Sequence, residues 1–208
     1  MFEAQTLLIA GCLFLGAILY TSVGHAGASA YIAVMTLFDL PPAVIKPTAL
    51  TLNIFVSSYT SLRYIKSKLF NKSLFLYLSL GSVPAAYIGG RINLPSNVYK
   101  PVIGLLSGIT GTGGGIFLSP LIIWLGWVSV KAASGTVAAF IFVNSVAGLL
   151  GNLQSTSSLP SELPVFVVAV LLGALIGTRF GITRFSSIGV KRALGFVLLI
   201  AGVKFLFG

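Results

Sequence analysis

The sequence predicts an all-α protein, a polytopic transmembrane helical bundle with two inverted repeats and two glycine-broken helices. Three observations predict it. The 208 residues are 56% hydrophobic and 8% charged, with a mean hydropathy of +1.03, whereas a soluble domain carries roughly 25% charged residues. Long apolar runs recur along the whole chain, separated by short polar clusters. The second half also repeats features of the first at an almost constant spacing. The first two observations exclude a soluble globular chain and a disordered one.

A crossing needs about 20 apolar residues. Seven stretches are candidates: 5–38, 43–62, 73–91, 101–127, 132–151, 164–181 and 189–207. Polar clusters divide them at Arg63 to Lys72, Arg91 to Lys100, Asn152 to Ser161 and Arg179 to Lys191, and Pro41, Pro42, Pro160 and Pro164 mark further edges. No linker is long enough to set off a second domain. Residues 1–208 therefore read as one integral membrane unit, with repeat A over 5–100 and repeat B over 101–208. Met1-Phe2-Glu3 has no basic n-region, so the first apolar stretch reads as structure and not as a cleaved signal.

The first and fourth stretches each carry glycine in the middle: Gly24-His25-Ala26-Gly27 and Gly111-Thr112-Gly113-Gly114-Gly115. As one helix, residues 5–38 would be roughly 50 Å long, too long for a hydrocarbon core of about 30 Å without strong tilt. Glycine is a poor helix former, so both stretches are expected to break there. They also correspond. Gly24 and Gly111 are 87 apart, as are Gly27 and Gly114. Thr48 and Thr136, Ser57 and Ser145, Gly89 and Gly177, and Arg91 and Arg179 are 88 apart, which marks an internal repeat.

Loop charge orients the repeats. Arg63, Lys66, Lys68 and Lys72 follow the second stretch with no acid, whereas the matching loop, 152–163, holds only Glu162. The positive-inside rule puts the first loop in the cytoplasm and the second outside. Equivalent loops on opposite faces imply inverted repeats, as in many secondary transporters. Seven crossings with the N-terminus inside would place Lys131, Arg179, Arg184, Lys191 and Arg192 with the first four on the cytoplasmic side, and Lys46, Arg91, Lys100 and Lys204 outside. The net charge of +10 then reflects basic residues flanking spans and an anionic ligand, with no need for nucleic acid.

A helix that starts after a break presents unpaired N–H groups and the positive end of its dipole, and glycine allows an anion to approach them. Gly24, Gly27, Gly111, Thr112, Gly113, Gly114 and Gly115 are therefore candidate anion-site residues. The plain alternative is that these glycines only let helices pack closely. His25, the single histidine, could hydrogen-bond an oxyanion or carry a coupling proton; otherwise it is satisfied by a neighbouring helix. Thr48, Asn53, Thr136 and Asn144, with Ser57 and Ser145 beside them, supply hydroxyls and amides that suit an oxyanion, or else bond helix to helix. Arg91 and Arg179, at segment ends, read as interface anchors.

Several of these residues form recognisable motifs. Leu19-Tyr20-Thr21-Ser22-Val23-Gly24-His25-Ala26-Gly27-Ala28-Ser29 and Gly104 to Leu121, through Gly111-Thr112-Gly113-Gly114-Gly115, resemble the paired motifs of the sulfite exporter TauE/SafE family. Pro47-Thr48-Ala49-Leu50-Thr51-Leu52-Asn53 and Asn144-Ser145-Val146-Ala147-Gly148-Leu149 extend the resemblance over nearly the whole chain. It implies a carrier of small sulfur-containing or organic anions such as sulfite, sulfoacetate or related sulfonates. Members usually carry a further hydrophobic segment and a loop between the halves. Here the chain runs from Lys100 almost directly into the second glycine motif.

Enzyme readings find no support. The acids Glu3, Asp39 and Glu162 lie at stretch edges, which removes carboxylate pairs and carboxylate metal sites. There is no Gly-x-Ser-x-Gly turn, and the glycine cluster lacks the Lys-Ser/Thr of a P-loop. One cysteine, Cys12, cannot build a disulfide or a cysteine cluster. No cofactor is implied; the expected partners are a small anion and the lipid bilayer, and the residues carry no signal for an oligomeric state. The reading from another class is a non-transporting membrane subunit, a shortened paralogue that binds or stabilises a partner.

The loop charges generate a test. In a Cys12→Ser background, Ser157→Cys should react with an impermeant thiol reagent on intact cells and Ser67→Cys should not. Equal labelling of the two positions would remove the assignment of these loops to opposite faces.

Overall fold

The computed structural model describes residues 4–91, 115–151 and 159–207. Its helices are α1 (Ala4–Ser22), α2 (Ala28–Leu37), α3 (Pro42–Lys66), α4 (Lys72–Arg91), α5 (Gly115–Trp124), α6 (Val130–Gly151), α7 (Leu163–Arg179), which continues through a π-turn at Phe180–Arg184, and α8 (Ser187–Phe207). No strand occurs among the described residues. Among the described residues, four helices are long and apolar enough to cross a bilayer: α1, α4, α6 and α7 with its π-turn.

The stretches 43–62, 101–127 and 189–207 are not among them. Of 101–127 only Gly115 onward is described, and α8 carries Lys191, Arg192 and Lys204. Residues 5–38 divide into two helices, and α2, with 10 residues, rises only roughly 15 Å, half of a hydrocarbon core. The stretch 43–62 lies in α3. This helix has 25 residues but is rich in hydroxyls and an amide, and Thr48, Asn53, Ser57 and Thr60 are all buried. A helix wrapped by other helices has no need of a lipid-compatible surface.

Local chemistry sets the ends. Gly24 takes φ 82° just after α1. The N–H groups of His25 and Gly24 bond back to the carbonyls of Tyr20 and Thr21, the pairing that closes a helix with a left-handed residue. Gly27, at φ 102°, is the N-cap of α2. The chain thus reverses within a few residues: Ser29 Oγ bonds Tyr20 Oη at 2.8 Å, and a Cβ on Gly16 would touch Ala30. The 5–38 stretch is a helical hairpin whose tip, residues 23–27, is buried. Downstream, Pro41 and Pro42 start α3. Asn71 caps α4, its Oδ1 accepting from Leu74 N.

Close backbone contacts order the bundle. Gly173, Gly177 and Gly181 recur every four residues on α7, and a Cβ at each would run into the backbone of α1 at Phe14, Ile18 and Ser22 respectively. The contacts advance together along both chains, so α1 and α7 run parallel. On α3 and α6 they run oppositely: Leu50 meets Gly148, Asn53 meets Ser145 and Tyr64 meets Gly135. α4 runs parallel to α6, from Asn71 beside Thr136 to Gly90 against the Gly148 carbonyl. An apolar core of Leu13, Ala17, Tyr31, Leu52, Val56, Val137, Phe166 and Val170 fills the centre. The helix boundaries keep the spacing of the sequence: α2 and α5 start 87 apart, and α3 and α6 start 88 apart.

These directions alter one expectation. The ends of α3 and α7 and the start of α6 meet around Tyr64, on the face that carries Arg63, Lys66, Lys68, Lys72, Lys131 and Arg184. Because α1 is parallel to α7, its first residue lies on the opposite face, with Glu162. An N-terminus on the basic side follows from residues 5–38 crossing once as a single helix; here they form two antiparallel helices.

Two glycines test the packing. Gly177→Leu forces a side chain onto the Ile18 carbonyl and the Thr21 hydroxyl, and should destabilise the protein by about 1–3 kcal/mol or more. At Gly81 a Cβ meets nothing within 4 Å, so Gly81→Leu should be near neutral. Thermal unfolding in detergent reads both.

Candidate functional site

The buried hairpin tip presents a helix start to the protein interior. Gly24, His25, Ala26, Gly27 and Ala28 are all buried, and α2 begins at Ala28 with no side-chain cap. Ordinarily a Ser, Thr, Asp or Asn oxygen occupies that position. Gly27 offers none, so the positive end of the α2 dipole faces inward. Tyr31 Oη bonds the Ala26 carbonyl and fixes the tip from within α2.

His25 is 1% exposed. Its Nε2 lies 3.2 Å from Ser119 Oγ on α5, and Ser119 is itself buried. The hydroxyl can donate to a neutral ring nitrogen or accept from its N–H. Ser119 stands four residues after Gly115, the first residue of α5. This one contact therefore joins the first glycine motif to the helix that follows the second. The sequence reading did not single out Ser119, although it is the one hydroxyl within the apolar run from Gly115 to Trp124.

A second polar seam lies between α3 and α6. Asn53 Nδ2 donates to Ser145 Oγ at 3.4 Å, and Ser57 Oγ bonds the Asn53 carbonyl. Next to Ser145, Asn144 Nδ2 bonds the Phe140 carbonyl at 2.8 Å, and its buried Oδ1 has no partner. Thr48 Oγ1, one to two turns before Asn53, is also buried without a partner. These atoms retain capacity for a ligand or for water.

Thr136, the repeat counterpart of Thr48, is placed differently. Its hydroxyl donates to the Ala132 carbonyl at 2.8 Å and accepts from Asn71 N at 3.0 Å, so it ties the start of α4 to α6. Two of the glycines are likewise engaged with protein: a Cβ on Gly24 would strike Ser134, and one on Gly27 the Tyr31 ring. Gly111, Thr112, Gly113 and Gly114 lie outside the described residues. The structure thus brings together His25 and Ser119 at the tip, and Asn53, Asn144 and Ser145 in the seam. Thr136 stands apart from both sets.

Among the described residues, no Asp, Glu, Lys or Arg is fully buried, and no group of His, Cys, Asp and Glu could hold a metal. Asp39 is exposed and Glu162 half-buried, both near the face opposite Tyr64. A partial positive charge from a helix start, one imidazole and neutral hydroxyl and amide groups suit an anion. With no buried carboxylate among the described residues, nothing there competes with it.

Residues 8–104 and 98–205 each match the family described as sulfite exporter TauE/SafE. A probable membrane transporter protein of Sinorhizobium fredii is 31% identical over an alignment of 246 residues, covering 98% of this chain and 99% of the relative. That alignment is longer than the 208 residues of this chain, so the relative holds residues with no counterpart here. No solved structure matches.

The His25–Ser119 contact is open to a double-mutant cycle. Ser119→Ala and His25→Asn should couple by about 0.5–1.5 kcal/mol in thermal unfolding, the worth of one buried hydrogen bond. Strictly additive losses would mean that the two side chains do not support each other.

Proposed function

Since the chain belongs to the sulfite exporter TauE/SafE family, a family of membrane transporters and not of enzymes, we propose that it moves a small sulfur-containing or organic anion across the cell (inner) membrane. Sulfite, sulfoacetate and related sulfonates are the substrate class. The mechanism is secondary transport by alternating access between two inverted repeats. The observation that carries this reading is the buried contact of His25 with Ser119, which joins the two motif-bearing helices beside an uncapped helix start. The antiparallel course of α3 and α6, whose starts are 88 residues apart, supports the inverted relation.

In this reading the anion lies against the α2 start and hydrogen-bonds His25 and Ser119. Gly111, Thr112, Gly113, Gly114 and Gly115 supply the matching backbone from the second half. Thr48, Asn53 and Asn144 line the path along the seam, and Thr136 serves by holding α4. A sulfonate spreads its charge over three oxygens, so several neutral donors and helix-end N–H groups can share it without a buried lysine or arginine.

A second reading rests on the length difference from the relative: a shortened paralogue that stabilises a partner and carries nothing. Two measurements separate them. A carrier should be stabilised by its substrate by about 2.7 kcal/mol at one hundred times Kd, and a scaffold should not respond. In liposomes, the protein should move at least one of sulfite, sulfoacetate and simple sulfonates. His25→Ala, which removes the only imidazole, should lower that flux about tenfold or more, equivalent to ~1.4 kcal/mol or above. Absence of both a thermal shift and flux across the panel would favour the scaffold.

A further inference from the structure

The hairpin tip is held from the basic face by one side chain. Tyr64, near the end of α3, is 1% exposed, although Arg63 beside it is half-buried and Ile65 and Lys66 are exposed. Its hydroxyl donates to the Ser22 carbonyl at 3.5 Å and lies beside the Ser134 side chain. Ser22 ends α1, Ser134 lies in the first turns of α6, and Gly181, in the π-turn after α7, packs against both the Ser22 carbonyl and the Tyr64 hydroxyl. Three segments therefore converge on one phenol of α3.

The socket has no spare room. A Cβ on Gly181 would lie 2.7 Å from Tyr64 Oη, and one on Gly135 would lie 2.8 Å from Tyr64 Cβ. One on Gly24 would lie 2.5 Å from Ser134 Cβ. Lys131 Nζ closes the rim by donating to the Ile182 carbonyl at 2.9 Å. The contacts that reach the tip fall on Ser22 and Gly24, immediately before His25, on the side of the basic helix ends.

We propose that Tyr64 is the seal between His25 and the basic face, and that this face opens only when Tyr64 leaves its socket of Ser22, Ser134, Gly135 and Gly181. The chemistry suits a reversible plug. The ring fills the space between glycine backbones and excludes water, while the phenol makes a long hydrogen bond that water can replace on opening. Its purpose rests on the transport reading, but its existence is measured without any substrate.

The test uses a buried reporter. In a Cys12→Ser background, Ala26→Cys (1% exposed) is reacted with an impermeant thiol reagent supplied from the face of Lys66, Lys68 and Lys72. Tyr64→Ala should speed labelling about tenfold by shifting the population towards the open form. Tyr64→Phe, which keeps the ring and loses the hydrogen bond to Ser22, should give a smaller gain. Labelling from the opposite face should not rise, and Leu13→Cys, 0% exposed in the core, should stay protected in each variant. Unchanged rates in both Tyr64 variants would overturn the proposal. An equal gain from the two faces, or an equal gain at Leu13→Cys, would also overturn it by showing general loosening. A seal that behaves as expected in a protein without flux would leave the failure with the transport reading alone.

Discussion

A backbone that reverses direction inside a membrane protein must satisfy its own N–H and C=O groups, because lipid cannot. The 23–27 tip meets that constraint in three ways. The N–H groups of Gly24 and His25 close α1 by bonds back to Thr21 and Tyr20, Tyr31 reaches the Ala26 carbonyl, and the tip is covered by α5 and α6 through Ser119 and Ser134. The rest of the bundle follows from the need to cover it. α7 approaches α1 to backbone distance through Gly173, Gly177 and Gly181. α3 can then carry Thr48, Asn53, Ser57 and Thr60 on a face covered by its neighbours, while Phe55 and Leu62 are exposed on another.

The covering is uneven, and this gives the site its character. On the basic side of His25 the helices close at glycine contacts around a phenol. Along the α3–α6 seam the groups are hydroxyls and amides, with Thr48 and Asn144 each keeping a buried oxygen without a partner. Tight backbone packing lowers the number of ways the tip can move, while incompletely satisfied polar atoms favour a ligand or water nearby. A rigid end beside an under-satisfied polar lining is the arrangement that a small anion can exploit.

Much of this was legible in the residues. Low charge and repeated apolar runs predict a membrane helical protein, and the α2, α3, α5 and α6 starts keep the 87 and 88 spacings. His25 stood out as the single histidine beside two glycines. Other features were hidden because they depend on contacts across long sequence distances. Ser119 lies in a strongly apolar run and acquires meaning only when α5 meets the hairpin tip. Thr136 and Thr48 match in the repeat, yet only Thr136 is engaged by Asn71, an asymmetry that pairwise matching cannot express. Tyr64 reads as an ordinary aromatic near a basic loop. Counting apolar stretches assumes that each is one helix, and residues 5–38 divide into helices of 19 and 10 residues, so the count alone does not fix the side on which the chain begins.

The distribution of fixed charge has an electrical consequence. No Asp, Glu, Lys or Arg among the described residues is fully buried, and the charged groups gather near the ends of the helices. A membrane potential does work only on charge displaced through it, about 2.3 kcal/mol per elementary charge per 100 mV. Helices that rock without carrying buried ions across the field contribute almost no gating charge of their own. The current that accompanies each turnover would then count the charge of the cargo, together with any proton on His25, so electrophysiology becomes a direct measure of stoichiometry in this protein.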